Sequence, residues 1–165
     1  MAVLTTNIQR PHKGHDPRHD VELPVAGYTN FAGGSTAHTI FKGSLVVCDV
    51  NDTDGYFRAC PATGSTALTA SDVFGGLALE KVIIDGNILA DGRVFVRVAR
   101  DGIWGFPKNS LAVTDVGAAI YAADDGATVT TTSTDNLWIG YLVDVGSEYA
   151  WVDIGKAAGC LNAAT

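Results

Sequence analysis

The sequence lacks long apolar runs and paired cysteine motifs, and each absence excludes a class of protein. No run of about 18 apolar residues is present, so no membrane-spanning helix is predicted. The start has neither the basic region nor the apolar core of a secretory signal, so we expect synthesis in the cytoplasm. Cys48, Cys60 and Cys160 form no C-x-x-C pair, which disfavours a zinc ribbon or a disulfide framework. We expect buried thiols, with a Cys48–Cys60 cross-strand disulfide as the alternative.

Motifs of catalysis and nucleotide binding are also missing. There is no G-x-S-x-G, no G-x-x-x-x-G-K-[ST] and no G-x-G-x-x-G, so we expect neither an enzyme nor a cofactor. The acidic run at residues 49–55 fails as an EF-hand, because Asp54 stands where glycine is needed and Cys60 where glutamate is needed. A solvated turn is the better interpretation of this run, with an irregular calcium loop as the alternative.

Glutamate is scarce, and this scarcity indicates the fold class. Only three of the 18 acidic residues are glutamate, while 15 are aspartate, which favours turns over helix interiors. Five Asp-Gly pairs separate short apolar runs, as in chains of strands joined by tight turns. We therefore predict an all-β fold, a small barrel or sandwich of about eight or nine short strands preceded by an extended N-terminal arm.

The apolar runs locate the strands. Alternation is clearest in residues 93–98 and 151–154, where one face of each strand is apolar. Asp101-Gly102 lies directly between two runs, so residues 93–100 and 103–106 are predicted to form a hairpin. The predicted strands are residues 45–50, 56–60, 76–84, 93–100, 103–106, 118–122, 128–132, 137–144 and 149–154.

Charge divides the chain into an arm at residues 1–43 and a body at residues 44–165. The arm has a net charge of +1 and the body a net charge of −8. An acidic body repels phosphate, so nucleic-acid binding is not expected. Residues 9–20 show no apolar periodicity and contain two prolines, so the arm is predicted to become ordered on a partner. The residues predicted to bind that partner are Arg10, His12, Lys13, Arg18, Leu23, Tyr28 and Phe31.

Three histidines of the arm have the spacing of a helical metal site. His12, His15 and His19 would share one face of a helix, but Pro11 and Pro17 oppose a helix there. We therefore expect no metal site. The three tryptophans Trp104, Trp138 and Trp151 could line a sugar site, although core packing or a contact between subunits is the better interpretation.

The pattern G-x-x-I-Y-x-x-D-D-G at residues 117–126, followed by a threonine-rich stretch and the strand at 137–144, resembles small capsid cement or decoration proteins of tailed phages. The resemblance extends over residues 44–155 and includes the runs at 74–78, 92–96 and 151–154. It implies a virion protein, made in the host cytoplasm, that lies on the outer capsid surface. It further implies binding to the major capsid protein and a homo-oligomer, with a trimer favoured. The histidine-rich arm departs from the family pattern.

Two other functions compete with capsid cementing. A carbohydrate-binding or adhesin module of a phage tail or cell surface would require exposed tryptophans on one face. A small hydrolase on a β scaffold is the least favoured, because the chain has no nucleophile motif.

Overall fold

The structure is a computed structural model that describes residues 4–28, 37–48, 55–60, 72–124 and 128–159. These residues contain short 3-10 turns at Pro17–His19 and Val113–Asp115 but no α-helix, so the all-β prediction is confirmed. The prediction of eight or nine strands is wrong, because the described residues contain more. The strands are β1 (His12–Lys13), β2 (Val21–Pro24), β3 (His38–Ile40), β4 (Leu45–Cys48), β5 (Phe57–Ala59), β6 (Val73–Ala78), β7 (Val82–Ile84), β8 (Phe95–Ala99), β9 (Ile103–Pro107), β10 (Ala119–Ala122), β11 (Val129–Thr130), β12 (Leu137–Val145) and β13 (Tyr149–Asp153).

The strands form three open sheets. The first has six strands in the order β1-β9-β13-β12-β10-β11, and the second has five in the order β2-β8-β6-β4-β5. Strands β3 and β7 form a two-stranded third sheet. Neighbouring strands pair antiparallel in each sheet, as β1 does with β9, β2 with β8 and β3 with β7. The described strands do not close into a barrel, so of the two predicted architectures the barrel is wrong.

The five-stranded sheet is covered on both faces. One hydrophobic cluster joins it to the six-stranded sheet and includes Phe74 and Phe106. A second cluster joins it to the two-stranded sheet and includes Val96 and Ile84. Strand β4 accordingly buries all four of its residues, as its continuous apolar sequence requires. The predicted alternation of β8 is confirmed, since Val96 and Val98 are buried while Phe95 is exposed.

The predicted hairpin across Asp101-Gly102 is wrong. Strand β8 pairs with β2 and β6 in the five-stranded sheet, whereas β9 pairs with β1 and β13 in the six-stranded sheet. Asp101-Gly102 is therefore a corner at which the chain passes from one sheet to the other. Val96 and Val98 of β8 lie in the second cluster, whereas Trp104 and Phe106 of β9 lie in the first, and this burial overrides the local preference of Asp-Gly for a hairpin turn.

The predicted strand at residues 76–84 is also wrong, because two strands occupy that stretch. Strand β6 ends at Ala78 in the five-stranded sheet, and β7 begins at Val82 in the two-stranded sheet. Glu80 lies between them and accepts a hydrogen bond from the backbone N–H of Arg97 at 2.9 Å. The short polar link lets the apolar run change sheets.

Residues of the predicted arm contribute a strand to each sheet. Strand β1 pairs with β9, β2 pairs with β8, and β3 pairs with β7. Val25 and Ile40 are fully covered by the rest of the chain. The described residues among the first 43 thus lie against the body, and the independence of this stretch as a separate unit stays a prediction.

Candidate functional site

The segment from Ile8 to Pro24, called the N-terminal segment below, lies along the edges of both large sheets. Strand β1 is the outermost strand of the six-stranded sheet, and β2 is the outermost strand of the five-stranded sheet. The backbone N–H of Gly105 donates to the carbonyl of Pro11 at 2.8 Å, and that of Ile8 donates to the carbonyl of Lys42 at 2.8 Å. The segment therefore bridges the two sheets at the corner where β8 leads into β9.

A charged cluster fixes the segment at that corner. It consists of Asp101, His15, His19, Asp16 and Asp20, and it is called the Asp101 cluster below. The Nδ1 atom of His15 lies 2.7 Å from one carboxylate oxygen of Asp101, and the Nδ1 atom of His19 lies 2.6 Å from the other. The backbone N–H of Asp16 also donates to this carboxylate, at 3.3 and 3.4 Å. Asp101 therefore contacts three groups of a segment more than 80 residues away in sequence.

Hydrogen bonds lower the pKa values of two carboxyl groups in this region, those of Asp101 and Asp16. Desolvation of Asp101 acts to raise its pKa, but hydrogen bonds from His19, His15 and the Asp16 N–H together hold the pKa below its ordinary value. Asp16 caps the 3-10 turn, and the side-chain and backbone hydrogen bonds of Arg18 lower the pKa of Asp16. Both carboxylates are therefore charged at neutral pH.

Aromatic rings of the six-stranded sheet pack against three side chains of the segment, those of His12, Lys13 and Arg10. The His12 ring packs against Trp104 with centroids 4.7 Å apart, and Lys13 Nζ lies 4.2 Å from the centre of the Trp151 ring. The Arg10 guanidinium lies 4.5 Å from the centre of the Phe106 ring, in the interior. These contacts place His12, Lys13 and Arg10 of the predicted partner-binding set on or beneath one defined surface.

The seven residues predicted to bind a partner fall into three groups. His12, Lys13 and Arg18 are exposed. Arg10 and Leu23 are buried by their own chain, and the Nε of Arg10 donates to the carbonyl of Gly43 at 2.8 Å. Tyr28 is half-buried against the second hydrophobic cluster, and Phe31 lies outside the described residues. The exposed three are thus the members that a partner can reach in this conformation.

The histidines do not share a helix face. His12 lies in β1, His19 lies in the 3-10 turn, and Gly14 between them has φ of 68°. Among the described residues, no group of three histidine, cysteine, aspartate or glutamate side chains is arranged to hold a metal ion. Residues 49–54 of the acidic run lie outside the described ranges.

The cysteines and tryptophans are largely interior. The expectation of buried thiols is confirmed for Cys48 and Cys60, which are both buried and form no disulfide, and Cys160 lies outside the described residues. Trp104 is buried, so its ring cannot form a sugar platform in this conformation. Trp138 and Trp151 are half-buried and pack beside tyrosines on the six-stranded sheet.

Two features of the surface lie outside the sequence predictions. Asp101 is predicted only as a turn residue, because its histidine partners are remote in sequence. Exposed apolar residues also lie on β12 and on the 3-10 turn that contacts it: Val113 is 70% and Val116 46% exposed, and Tyr141 and Val143 of β12 are exposed as well. The uncharged stretches 111–113 and 116–120 are a sequence signal for this group.

No helix in the described part of the chain has the length and apolarity needed to cross a bilayer.

Comparison with known proteins gives a match to one family. The model of the family described as "Phage cement protein" matches residues 85–150, which extend from the end of β7 to the start of β13. No curated protein and no solved structure matches the chain. The family match confirms the resemblance carried by residues 117–126 and 137–144, and it supports a structural, capsid-associated role in a phage.

Proposed function

We propose that this chain is a structural virion protein that binds the outer surface of a phage capsid and cements neighbouring capsomers. The observation that carries the proposal is the match of residues 85–150 to the phage cement family. These residues supply strands β9 to β12 and the start of β13 in the six-stranded sheet, and β8 in the five-stranded sheet, so they include most of one core. The partner is the major capsid protein, and the acting form is a homo-oligomer, with a trimer favoured.

The architecture suits a protein that works by adhesion. Two hydrophobic clusters on opposite faces of one sheet make a stiff body. Many identical copies on a shell act together, so each contact can be weak while the coat as a whole is stable. No step of chemistry is required of any residue, and the chain is proposed to be no enzyme.

The exposed cations of the N-terminal segment are the proposed contact with the shell. Lys13 and Arg18 project from the first 43 residues, whose net charge is +1, while the body has a net charge of −8. Opposite charge on the shell would attract the segment, and the acidic body would keep free copies apart. Arg10 and Leu23 serve this contact indirectly, by anchoring the segment to the interior.

Co-sedimentation with purified shells that lack this protein tests the proposal. The wild-type chain should sediment with shells at a saturable ratio. The double variant Lys13→Glu/Arg18→Glu should bind roughly tenfold more weakly, since about four units of charge per copy are changed at an exposed rim. Lys81→Glu, which changes about two units of charge at an exposed residue between β6 and β7, is the control for charge reversal elsewhere on the surface and should bind as the wild type does.

Two results separate the parts of the proposal. Absence of wild-type binding to shells contradicts the capsid role itself. Equal binding of the double variant and the wild type contradicts only the contact through the segment. Deletion of residues 1–43 is not a suitable test, because Val25, Ala26 and Ile40 are buried and their loss would damage the core.

A carbohydrate-binding module is the second candidate, and one observation favours it. Two aromatic pairs, Trp138 with Tyr141 and Tyr149 with Trp151, lie on the six-stranded sheet with ring centroids 5.7 and 6.1 Å apart. Paired rings of this kind can receive the apolar face of a sugar. Glycan-array binding that is lost in Trp138→Ala, without any shell binding, would favour this candidate over cementing.

A further inference from the structure

The N-terminal segment can leave the body without breaking any internal pairing of the two large sheets. Both β1 and β2 occupy the first position in the strand order of their sheets, so each has a single neighbour among the described strands. Strand β1 contributes only the pairs of His12 with Trp104 and Lys13 with Ile103. Short edge strands of this kind open at low free energy compared with the centre of a sheet. Side-chain contacts must therefore add to what holds the segment, and they include buried Arg10 and Leu23 as well as the Asp101 cluster.

His15 provides the central contact. Its side chain is 8% exposed and lies between two carboxylates, with Nδ1 2.7 Å from Asp101 and Nε2 3.2 Å from Asp20. A neutral imidazole carries one N–H, whereas the imidazolium carries an N–H on both nitrogens. The contact with Asp101 is a hydrogen bond, whereas the contact with Asp20 is an ion-pair contact without hydrogen-bond geometry. Only the protonated ring presents an N–H and a positive charge to both carboxylates, and a neutral ring would turn a lone pair toward one of them.

The other groups around His15 leave the two carboxylates as its direct partners. The Trp104 ring of β9 lies 5.2 Å away and contributes no charge, and the His12 ring of β1 lies 5.7 Å away. Arg18 is paired with Asp16, and His19 is 63% exposed. The charged or titratable neighbours, from the cluster and from the small pocket that His15 lines, are Arg10, His12, Asp16, Arg18, His19, Asp20, Lys42 and Asp101.

We propose that the Asp101 cluster is a proton-operated latch, which holds the N-terminal segment on the body while His15 is protonated and loosens the segment when His15 is neutral. The latch is therefore firm at acidic pH and loose at alkaline pH. Loss of the imidazolium charge weakens the hydrogen bond to Asp101 and removes the ion pair with Asp20, which together correspond to about a tenfold rise in the open population. The proposal concerns the isolated chain and does not depend on capsid binding.

Hydrogen exchange of backbone amides, resolved by NMR on the full chain, tests the latch. The probes are the amides of Asp16, Gly105 and strand β2, expressed as protection factors so that the intrinsic pH dependence of exchange is removed. Their protection should fall about tenfold between pH ~5.5 and pH ~8. The amide of Leu142 in β12, which donates to the carbonyl of Ala118 at 3.0 Å, should keep its protection and serves as internal reference.

Three variants make the test specific. His15→Gln should abolish the difference between the two pH values, because glutamine does not titrate. His12→Gln, which changes a histidine of the same segment that packs on Trp104, should retain the roughly tenfold difference. Asp20→Asn keeps both histidine contacts of Asp101 and removes only the second carboxylate, so the difference should shrink to less than about threefold.

Equal protection of the wild-type segment at both pH values would overturn the latch. Persistence of the full difference in His15→Gln would also overturn it. Should His15→Gln fail to fold, Asp20→Asn decides the question, because that variant leaves His15 in place. An undiminished difference in Asp20→Asn would then overturn the latch, and a diminished one would support it.

Discussion

Replacement of Gly102 by alanine should push the N-terminal segment away from the corner between the two large sheets. Gly102 has φ of +89°, and a Cβ atom there would lie 2.9 Å from the Cα and 3.0 Å from the N of His15. Those are backbone atoms, so the segment itself must move. Gly117 is the matched control, because it has φ of +93° and nothing within 4 Å of an added Cβ.

Gly102→Ala and Gly117→Ala share the cost of backbone strain, but only Gly102→Ala is expected to lose contacts of the N-terminal segment. Backbone strain of alanine at positive φ costs about 1–2 kcal/mol at either site. Displacement of the segment also breaks the contacts of Asp101 with His15, His19 and the Asp16 N–H. Because these groups are partly exposed, we assign the loss about 2 kcal/mol in total rather than the sum for three charged hydrogen bonds.

Urea unfolding of both variants measures the difference. With a slope of about 2 kcal/mol per molar urea, Gly102→Ala should unfold about 1 M earlier than Gly117→Ala. Amides of β2 should lose protection only in Gly102→Ala. Midpoints of the two variants that agree to within about 0.3 M would refute the view that the segment packs against this corner.

Three further outcomes follow from the core and the cluster. Phe106→Ala should lower the unfolding free energy by about 3–5 kcal/mol, because Phe106 is fully buried, and a loss below about 1 kcal/mol in chemical denaturation would contradict that placement. The lowered pKa of Asp101 stabilises the folded state above about pH 3.9, and this stabilisation is lost as pH falls through the lower pKa of the folded state. Asp101→Asn should therefore lower the unfolding free energy, measured by urea titration, at about pH 6 and much less near pH ~2.5. In a Cys160→Ser background, Cys48 and Cys60 should react with a thiol reagent only after denaturant is added, and rapid reaction of the native protein would show that they are accessible.

Local patterns located most strands of the body. The alternation around Val96 and Val98 reported burial correctly, because a strand with one covered face imposes a period of two on its sequence. The strand predicted at residues 45–50 is found as β4, and its four apolar residues are all buried. Each of these patterns lies within a single strand, so it can be recognised without knowing which strands pair with it.

Pairing between strands could not be predicted in the same way. Asp101-Gly102 has the chemistry of a hairpin turn, yet β8 buries Val96 and Val98 in the second cluster while β9 buries Trp104 and Phe106 in the first, and the strands pair in different sheets. Strands β1 and β2 were missed because each is short, and each is held by the edge of a distant strand. For the same reason the Asp101 cluster could not be found from spacing, since His15 and Asp101 lie 86 positions apart.

Quantitative mass spectrometry of purified virions tests the capsid role most directly. The measured quantity is the number of copies of this chain relative to the major capsid protein in the same particles. A fixed ratio corresponding to hundreds of copies per particle is the result that cementing predicts. Particles that contain none of the chain, or only a handful of copies, would contradict it.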